Sequence, residues 1–571
     1  MTAVEIAARE SATPVDGDHF DLEADIVVVG GGGGGLPAAL FSRWRENEVL
    51  LLEKAAELGG TARKAAFWYW VPNNEPMRAL GIDDPEDAFL RYVARVSAPD
   101  RYDPESATLG LSSWEHASFR AIYESASPAA ELLKDRGALR YRHVAAACDY
   151  WSEMAEDAAP TGRVLIHEDA NDAMSNGGLV SIAAMEAAAR ADGVQIYVGH
   201  RVQRLITADD GSIVGVEATT SAGTLLRAGA RKAVIFATGG FTHDSDLRRG
   251  FLGRPALGGC AARTNEGDLI RIASHVGAQL RGMASAWMCP IPLERAVAGR
   301  PDLSGMFAVG GDSMIFVDRR GRRVVNEKLQ YNELAQKFFE WDGVAQEFPN
   351  LVLMQIWDQR SQHHCASGDF GCLIPPPCAD DSHVIRGDTL EALAEEIDRS
   401  LARFEHVTGG LRLDPQFTET LRATIARFNG FAEAGVDDDF HRGERPVQLM
   451  FNGAVAAEPQ MPNPTMYPVN DAGPFYAALV AGGTLDTKGG PKTDTEGRML
   501  NDGDEPIGRL YGIGNCVASA SGNSYWAGGA TLGPIIAFAY RAAGAAEAES
   551  PRALAAVEVG QAGPNRDGES Q

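Results

Sequence analysis

Residues 523–534, NSYWAGGATLGP, combine residue types that can act on an oxygen atom of a ligand. Tyr525 carries a phenol O–H, and Gly529 offers a backbone N–H that no side chain obstructs. Two hydrogen-bond donors aimed at one oxygen form an oxyanion hole, which stabilises the negative charge that develops there during a reaction. The small residues that follow predict a helix, whose positive end can stabilise negative charge on a bound group. Whether Tyr525 meets a ligand or is a core residue with its O–H satisfied depends on what the rest of the chain binds.

A glycine-rich turn near the amino terminus predicts a dinucleotide site. The run DIVVVG, residues 25–30, has the pattern of a buried parallel strand, and Gly30, Gly32 and Gly35 follow in the spacing G-x-G-x-x-G. A second such run, EVLLLEK, reaches Glu53, 23 positions after Gly30. A carboxylate at this spacing accepts hydrogen bonds from the ribose of an adenine dinucleotide. The whole unit predicts a Rossmann-like nucleotide site.

Later segments favour FAD over NAD as the dinucleotide. The pair Glu53-Lys54 is followed by Gly59-Gly60, an extension that resembles the glutathione-reductase type of flavoprotein. The segments AVIFATGG and GRLYGIGNCVAS resemble two further strands of the FAD domain in that superfamily. We therefore predict FAD as the cofactor, held by Gly30, Gly32, Gly35, Glu53, Lys54, Gly59, Gly60, Thr61, Val202, Thr238, Gly239, Gly514, Asn515, Thr531 and Leu532.

The position of GRLYGIGNCVAS near residue 510 predicts a discontinuous FAD domain. A chain of 571 residues is too long for one compact core. We predict an α/β fold in which residues 21–285 and 470–548 form a Rossmann-like FAD-binding domain. Residues 286–469 then form an inserted α+β catalytic domain. Residues 1–20 and 549–571 are predicted to be flexible tails.

An insertion within a split FAD domain resembles the fumarate reductase/succinate dehydrogenase superfamily. Three segments, GPFYAALVAGGTLDTKGG, SYWAGGATLGP and VVNEKLQY, are similar to 3-ketosteroid Δ1-dehydrogenases and to relatives that dehydrogenate cyclic ketones. The similarity extends from the first strand to about residue 545 and is looser between residues 70 and 230. The resemblance implies that two hydrogens leave the carbons beside a ketone, with a hydride passing to flavin N5.

The resemblance also assigns roles to four residues. Tyr525 and Gly529 match the tyrosine and glycine that bind the ketone oxygen in that family. Tyr331, in NEKLQY, matches the base that removes the α-proton. Tyr150, in CDYW, matches a second tyrosine that can hydrogen-bond the base and relay the proton. A phenol has a pKa of about 10 and is a poor base at neutral pH unless its neighbours stabilise the anion.

Bulky aromatic residues replace small ones at two of the matching segments. The steroid enzymes carry SYPGAG and a glycine-rich stretch where this chain has SYWAGG and AAFWYWVPNN. Trp526 stands in place of the proline, Trp68 in place of a glycine, and Trp151 adjoins Tyr150. Bulk in the pocket favours a small ring of the cyclohexanone type as substrate. The alternative is that these rings pack into the core and the substrate is a 3-ketosteroid.

Three less favoured functions remain open: a Δ4-(5α)-dehydrogenase, a fumarate-reductase-like enzyme acting on an enone or dicarboxylate, and a non-catalytic flavin carrier. A dicarboxylate requires cationic side chains, whereas Gly522, Asn523, Ser524 and Tyr525 in the late motif are neutral. A flavin carrier has no need of paired tyrosines. These considerations favour an enzyme acting on a neutral ketone.

Composition restricts the partners and the compartment. A net charge of −26 argues against nucleic acid and anionic membranes. No apolar run is long enough to span a bilayer, and residues 1–20 lack the pattern of a secretory signal, which predicts a soluble cytoplasmic protein. The expected partners are a small cyclic ketone and an unidentified electron acceptor such as a quinone, a dye or oxygen.

The cysteines predict neither a disulfide framework nor a metal site. The seven cysteines are scattered and odd in number. The only dense group of potential ligands lacks a standard zinc spacing and comprises His363, His364, Cys365, Cys372 and Cys378. We therefore expect no metal.

Overall fold

The structure is a computed structural model that describes residues 19–171, 173–300, 303–368, 371–453 and 461–554. An eight-stranded sheet, the large sheet, forms its centre. Five of the strands are parallel and follow one another in the order Gln195–Val198, Val49–Glu53, Leu22–Val29, Leu225–Phe236 and Pro506–Gly512. The other three are antiparallel to their neighbours: Arg498–Leu500, His200–Thr207 and Ile213–Thr220.

The central strands of the large sheet are buried on both faces, as their continuous apolar runs predict. In strand Leu22–Val29, Ile26 and Val28 join a hydrophobic cluster that includes the helices Gly35–Arg43 and Leu532–Glu547. Val27 and Val29 join a second cluster on the opposite face. The sheet is therefore covered on both sides, and its ligands must approach along an edge.

A second sheet has five strands and is antiparallel throughout. Its strands are Ala286–Pro292, Phe475–Thr487, Val352–Asp358 and Met314–Val317 in that order, with Ile385–Gly387 also paired to Phe475–Thr487. The amphipathic helices Leu390–Arg403 and Phe417–Ala434 bury their apolar sides in the same hydrophobic cluster as this sheet. This second core positions Tyr331, which begins the helix Tyr331–Gln336.

Smaller elements complete the fold. Two short sheets comprise Tyr69–Trp70 with Val164–His167 and Tyr141–His143, and Leu280–Arg281 with Gly490–Pro491. The remaining α-helices are Gly60–Lys64, Glu75–Ala79, Glu86–Ser97, Ser113–Asp135, Gly177–Ala191, Ser245–Leu247, Asp268–Ser274, Leu293–Val297, Gln359–His364, Glu405–Thr408 and Pro446–Met450. A π-helix, Arg248–Leu252, and the 3₁₀ turns Lys337–Phe339 and Gly514–Cys516 also occur. In the described part of the chain, no helix has the length and apolar character needed to cross a membrane.

The predicted α/β class is confirmed, because a mostly parallel sheet is accompanied by a second, antiparallel sheet. The large sheet takes strands from both ends of the chain, whereas strand Phe475–Thr487 belongs to the second sheet although it lies within the predicted FAD segment, residues 470–548. The domain limits themselves stay a prediction. Of the predicted tails, residues 1–18 and 555–571 lie outside the described residues. Residues 549–554 pack on the large sheet, because Arg552 pairs with Asp210 at 2.9 Å.

Candidate active site

A cavity of about 540 Å³ opens at the carboxyl ends of the parallel strands. Strand Leu22–Val29 leads into Gly30, where φ is +98° and a Cβ would lie 2.5 Å from the carbonyl oxygen of Ala237. A Cβ on Gly32, in contrast, would meet only the carbonyl oxygen of Gly59, at 3.7 Å. The backbone at Gly32 therefore faces open space, as close approach of a pyrophosphate requires.

Glu53 ends its strand with a carboxylate fixed at the cavity wall. Its two carboxylate oxygens accept hydrogen bonds from the N–H groups of Gly31 and Ala55, each at 2.7 Å. Each oxygen retains a further lone pair, which can accept a ribose hydroxyl. The residues present therefore fit an adenine dinucleotide.

Most of the predicted cofactor residues come together in this cavity. Those that line it are Gly30, Gly32, Glu53, Lys54, Gly59, Gly60, Thr61, Val202, Thr238, Gly239, Gly514, Asn515, Thr531 and Leu532. Gly35 does not line it; its role is packing, because a Cβ there would lie 1.7 Å from the carbonyl oxygen of Gly30. The ammonium of Lys54 pairs with Asp268 at 2.5 Å and with Glu266 at 3.1 Å, so protein carboxylates already balance its charge.

We predict that Gly32→Val leaves the protein folded and removes at least about nine-tenths of its FAD. The side chain meets no close protein atom at its Cβ but occupies the space of the pyrophosphate. The measurement is the flavin absorbance per mole of purified protein, alongside the melting temperature. Gly250→Val is the matched control, since a Cβ at Gly250 also meets nothing within 4 Å and this residue does not line the cavity. Full flavin content in a folded Gly32→Val protein would contradict the assignment of this turn.

Three tyrosines from distant parts of the chain meet in the wall of the same cavity. The Tyr150 O–H donates a hydrogen bond to the Tyr331 hydroxyl oxygen at 2.7 Å. The rings of Tyr150 and Tyr525 are stacked, with centroids 5.5 Å apart and planes 17° from parallel. The Tyr331 ring lies edge-on to Tyr525, with centroids 5.3 Å apart. The structure thus brings together the three tyrosines that the sequence singled out.

Burial governs the acidity of these phenols. It raises the pKa of Tyr331 well above its usual value, and the neighbouring phenols of Tyr150 and Tyr525 raise it further. Burial also raises the pKa of Tyr150 and that of Tyr525. All three groups are therefore protonated at neutral pH and act first as hydrogen-bond donors. A phenolate formed on Tyr331 keeps the hydrogen bond that Tyr150 donates to it.

Gly529 places a backbone N–H in the same wall. Its φ is +84°, and a Cβ would lie 2.6 Å from the carbonyl carbon of Trp68, so only glycine fits this turn. Its carbonyl oxygen accepts from the Trp70 N–H at 3.0 Å, whereas its own N–H has no acceptor within the described residues. The Tyr525 hydroxyl hydrogen-bonds the Thr531 hydroxyl at 3.3 Å and also interacts with the Tyr331 hydroxyl. The Gly529 N–H is therefore available to an oxygen of a ligand, and the Tyr525 O–H can turn towards the same oxygen.

The three tryptophans expected in the substrate pocket have different positions. Trp68 lines the cavity. Trp526 does not, because its indole packs between Trp70 and Phe119 and its N–H donates to Ser97 Oγ at 2.8 Å. Trp151 also stays outside the cavity lining. The geometry corrects the expectation for these two residues.

Sequence reasoning missed Trp287, a central residue of the site. Its ring lines the cavity and packs edge-on against Tyr525, with centroids 4.8 Å apart. Its N–H donates to Asn515 Oδ1 at 3.0 Å, and Asn515 in turn donates to Asp486 at 3.2 Å. The sequence did contain a signal, because the charged residues Asp486 and Lys488 stand at the end of an apolar run. The structure buries both side chains, and a buried charged group needs partners close by.

The large sheet is Rossmann-like, and the cavity at its edge has a glycine-lined dinucleotide site and three phenols in its wall. These features define a flavoprotein oxidoreductase. The FAD binding domain family matches residues 25–532 of the chain. A 4-oxocyclohexanecarboxylate 2-dehydrogenase from Sinomonas cyclohexanicum is 32% identical, with 91% of this chain and 92% of the relative covered. A 3-oxosteroid 1-dehydrogenase from Mycolicibacterium smegmatis is 28% identical, with 91% and 96% covered.

The chain belongs to the FAD binding domain family, and it is an FAD-dependent dehydrogenase that acts on CH–CH groups. The fold agrees with a solved structure, the 3-ketosteroid Δ1-dehydrogenase from Sterolibacterium denitrificans. That likeness has a TM-score of 0.77 at 24% identity and covers 92% of this chain and 99% of the other. The predicted resemblance and the predicted cofactor, FAD, are confirmed.

Proposed function

We propose that this dehydrogenase converts a cyclic ketone to its α,β-unsaturated enone. The observation that carries the proposal is the group formed by Tyr150, Tyr331 and Tyr525 in the cavity that fits FAD. Beside it lies the N–H of Gly529, which has no acceptor among the residues that the structure describes. Ketone dehydrogenation needs a polarised carbonyl, a base for the α-proton and a hydride acceptor. FAD, when bound, supplies the hydride acceptor. The chain supplies the other two functions.

One pair of residues polarises the carbonyl, and a second pair provides the base. Tyr525 and Gly529 donate hydrogen bonds to the ketone oxygen, which makes the neighbouring C–H acidic and stabilises the enolate. The Tyr331 oxygen takes the α-proton, and Tyr150, hydrogen-bonded to it, orients this base and shares the proton. The rings of Phe307 and Phe451 flank Tyr331, with centroids 5.0 and 5.9 Å away, and exclude water from the proton transfer.

The substrate we favour is a one-ring ketone of the cyclohexanone type. Trp68 narrows the cavity, and the dehydrogenase of 32% identity is named for a one-ring ketone, 4-oxocyclohexanecarboxylate. The alternative is a 3-ketosteroid, since the relative of 28% identity is named for 3-oxosteroids. The electron acceptor that reoxidises the flavin stays unidentified.

Anaerobic mixing with a panel of ketones tests the proposal. Cyclohexanone and 4-oxocyclohexanecarboxylate should bleach the yellow flavin within seconds, and the enone should be recovered from the mixture. A 3-ketosteroid should bleach it more slowly. Rapid bleaching by the steroid with the one-ring ketones inert would overturn the substrate assignment, and no bleaching by any ketone would overturn the proposed reaction.

The rate of flavin reduction should rise with pH. Because burial raises the pKa of Tyr331 above about 10, only a small fraction of this phenol is ionised at pH 7, and that fraction grows about tenfold per pH unit. Stopped-flow reduction between pH 6.5 and 9.5 should give a log rate that climbs with a slope near one and no plateau. Tyr331→Phe should abolish the slope. The same slope retained in Tyr331→Phe would show that Tyr331 is not the titrating base.

Two tryptophan variants should distinguish a residue of the substrate pocket from a residue of the hydrophobic core. Trp68→Ala should raise kcat/KM for a two-ring ketone such as 2-decalone by about tenfold, because the ring borders the cavity. Trp526→Ala should leave the substrate preference unchanged and lower the free energy of unfolding by about 3–5 kcal/mol, because the indole is 2% exposed. The measurements are kcat/KM ratios and urea denaturation. A change of preference in Trp526→Ala alone would contradict this placement.

A further inference from the structure

Lys488 is a buried lysine directly behind the proposed oxyanion site. It follows strand Phe475–Thr487 and is 1% exposed. Its terminal nitrogen lies 3.6 Å from the centre of the Trp287 ring and donates hydrogen bonds to the carbonyl oxygen of Ser524 at 2.5 Å and to Ser521 Oγ at 3.1 Å. Among the described residues, the carboxylate that acts on it electrostatically is that of Glu333.

Both sets of contacts lead to Tyr525. Ser524 immediately precedes Tyr525, so the hydrogen bond to the Ser524 carbonyl fixes the backbone that carries the phenol. Trp287, which the terminal nitrogen contacts on its face, packs edge-on against the Tyr525 ring. Lys488 therefore restrains Tyr525 in two ways: through the backbone at Ser524 and through the ring of Trp287.

We propose that Lys488 is a positioning residue for Tyr525, the phenol that donates to the ketone oxygen. The inference rests on the proposed function. Burial lowers the pKa of Lys488 well below its usual value, so its amino group acts on Tyr525 through hydrogen bonds and packing and needs no fixed charge. Burying a lysine side chain is costly, and the contacts of this one converge on Tyr525.

The test is a double-mutant cycle between Lys488→Met and Tyr525→Phe. Lys488→Met alone should lower kcat by about 10- to 100-fold, with KM changed less than about threefold and the FAD content retained. In the Tyr525→Phe protein the same substitution should lower kcat by less than about threefold, because two residues that act through one group are not additive. Lys488→Arg should recover part of kcat. If Lys488→Met does not fold, Lys488→Gln takes its place in the cycle.

A ligand spectrum gives a readout that does not depend on turnover. 4-Nitrophenol, a ring phenol whose absorbance reports ionisation, should bind to the wild-type protein in its ionised form. It should bind to Lys488→Met with a larger neutral fraction. The matched control is Lys492→Met, a buried lysine four positions later whose ammonium pairs with Asp504 at 2.5 Å. It should leave the spectrum and kcat unchanged.

The outcomes separate this inference from the proposed function. Additive effects of Lys488→Met and Tyr525→Phe, or an unchanged kcat and nitrophenol spectrum in Lys488→Met, would overturn the positioning role alone. An unchanged kcat in Tyr525→Phe itself would overturn the role of Tyr525 in stabilising the enolate, on which this inference rests, whereas the absence of flavin bleaching by any ketone would overturn the proposed function.

Discussion

Replacing Tyr331 with phenylalanine should slow flavin reduction by a ketone by about 10²- to 10⁴-fold while the protein keeps its FAD. The substitution removes the oxygen that takes the α-proton and keeps the ring, and a positioned acid or base contributes rate factors of about this size. Tyr331 is 4% exposed and packed between Phe307 and Phe451, so the remaining ring should hold its place. The measurement is single-turnover reduction under anaerobic conditions, which isolates the chemical step from reoxidation.

Two further tyrosine variants show whether the lost rate is specific to Tyr331. Tyr150→Phe removes only the hydrogen bond to Tyr331, so its effect should be smaller, about tenfold. Tyr476→Phe is the matched control, because its ring stacks on Trp357 in the second sheet and its hydroxyl has no role at the site. Near-normal reduction in Tyr331→Phe with a large loss in Tyr150→Phe would assign the base to Tyr150.

The dinucleotide half of the site could be predicted from sequence because its determinants are local. Gly30, Gly32 and Gly35 are fixed by the turn between a strand and a helix, and Glu53 ends the next strand. A parallel sheet brings the carboxyl ends of these strands to one edge, so spacing along the chain translates into position in space. All of these residues except Gly35 line the cavity.

The chemistry half depends on contacts between distant segments. Tyr150 and Tyr331, the hydrogen-bonded pair, lie 181 residues apart in the chain. Tyr525 lies further along, and no spacing rule links the three tyrosines. Resemblance to a family identified them, and the structure brings them into contact.

Side-chain direction is what the sequence could not supply. Trp526 adjoins Tyr525 in the chain, yet its indole enters the core, where Ser97 accepts its N–H. Trp287, far from every motif, faces the cavity instead. Neighbouring residues in an irregular turn point in different directions according to tertiary packing, so adjacency to Tyr525 did not place Trp526 in the pocket.

Replacing Tyr525 with phenylalanine should lower kcat by about 10²- to 10³-fold, the loss typical of removing one donor from an oxyanion hole. The Gly529 N–H would then hold the ketone oxygen alone, while Tyr331 and Tyr150 keep their hydrogen bond. KM should change little, because the donor matters most when negative charge builds on the oxygen. Tyr476→Phe is again the control, since it also removes one phenol oxygen but lies outside the cavity, where its ring stacks on Trp357. A Tyr525→Phe protein with raised KM and unchanged kcat would show that Tyr525 binds the substrate without stabilising its enolate.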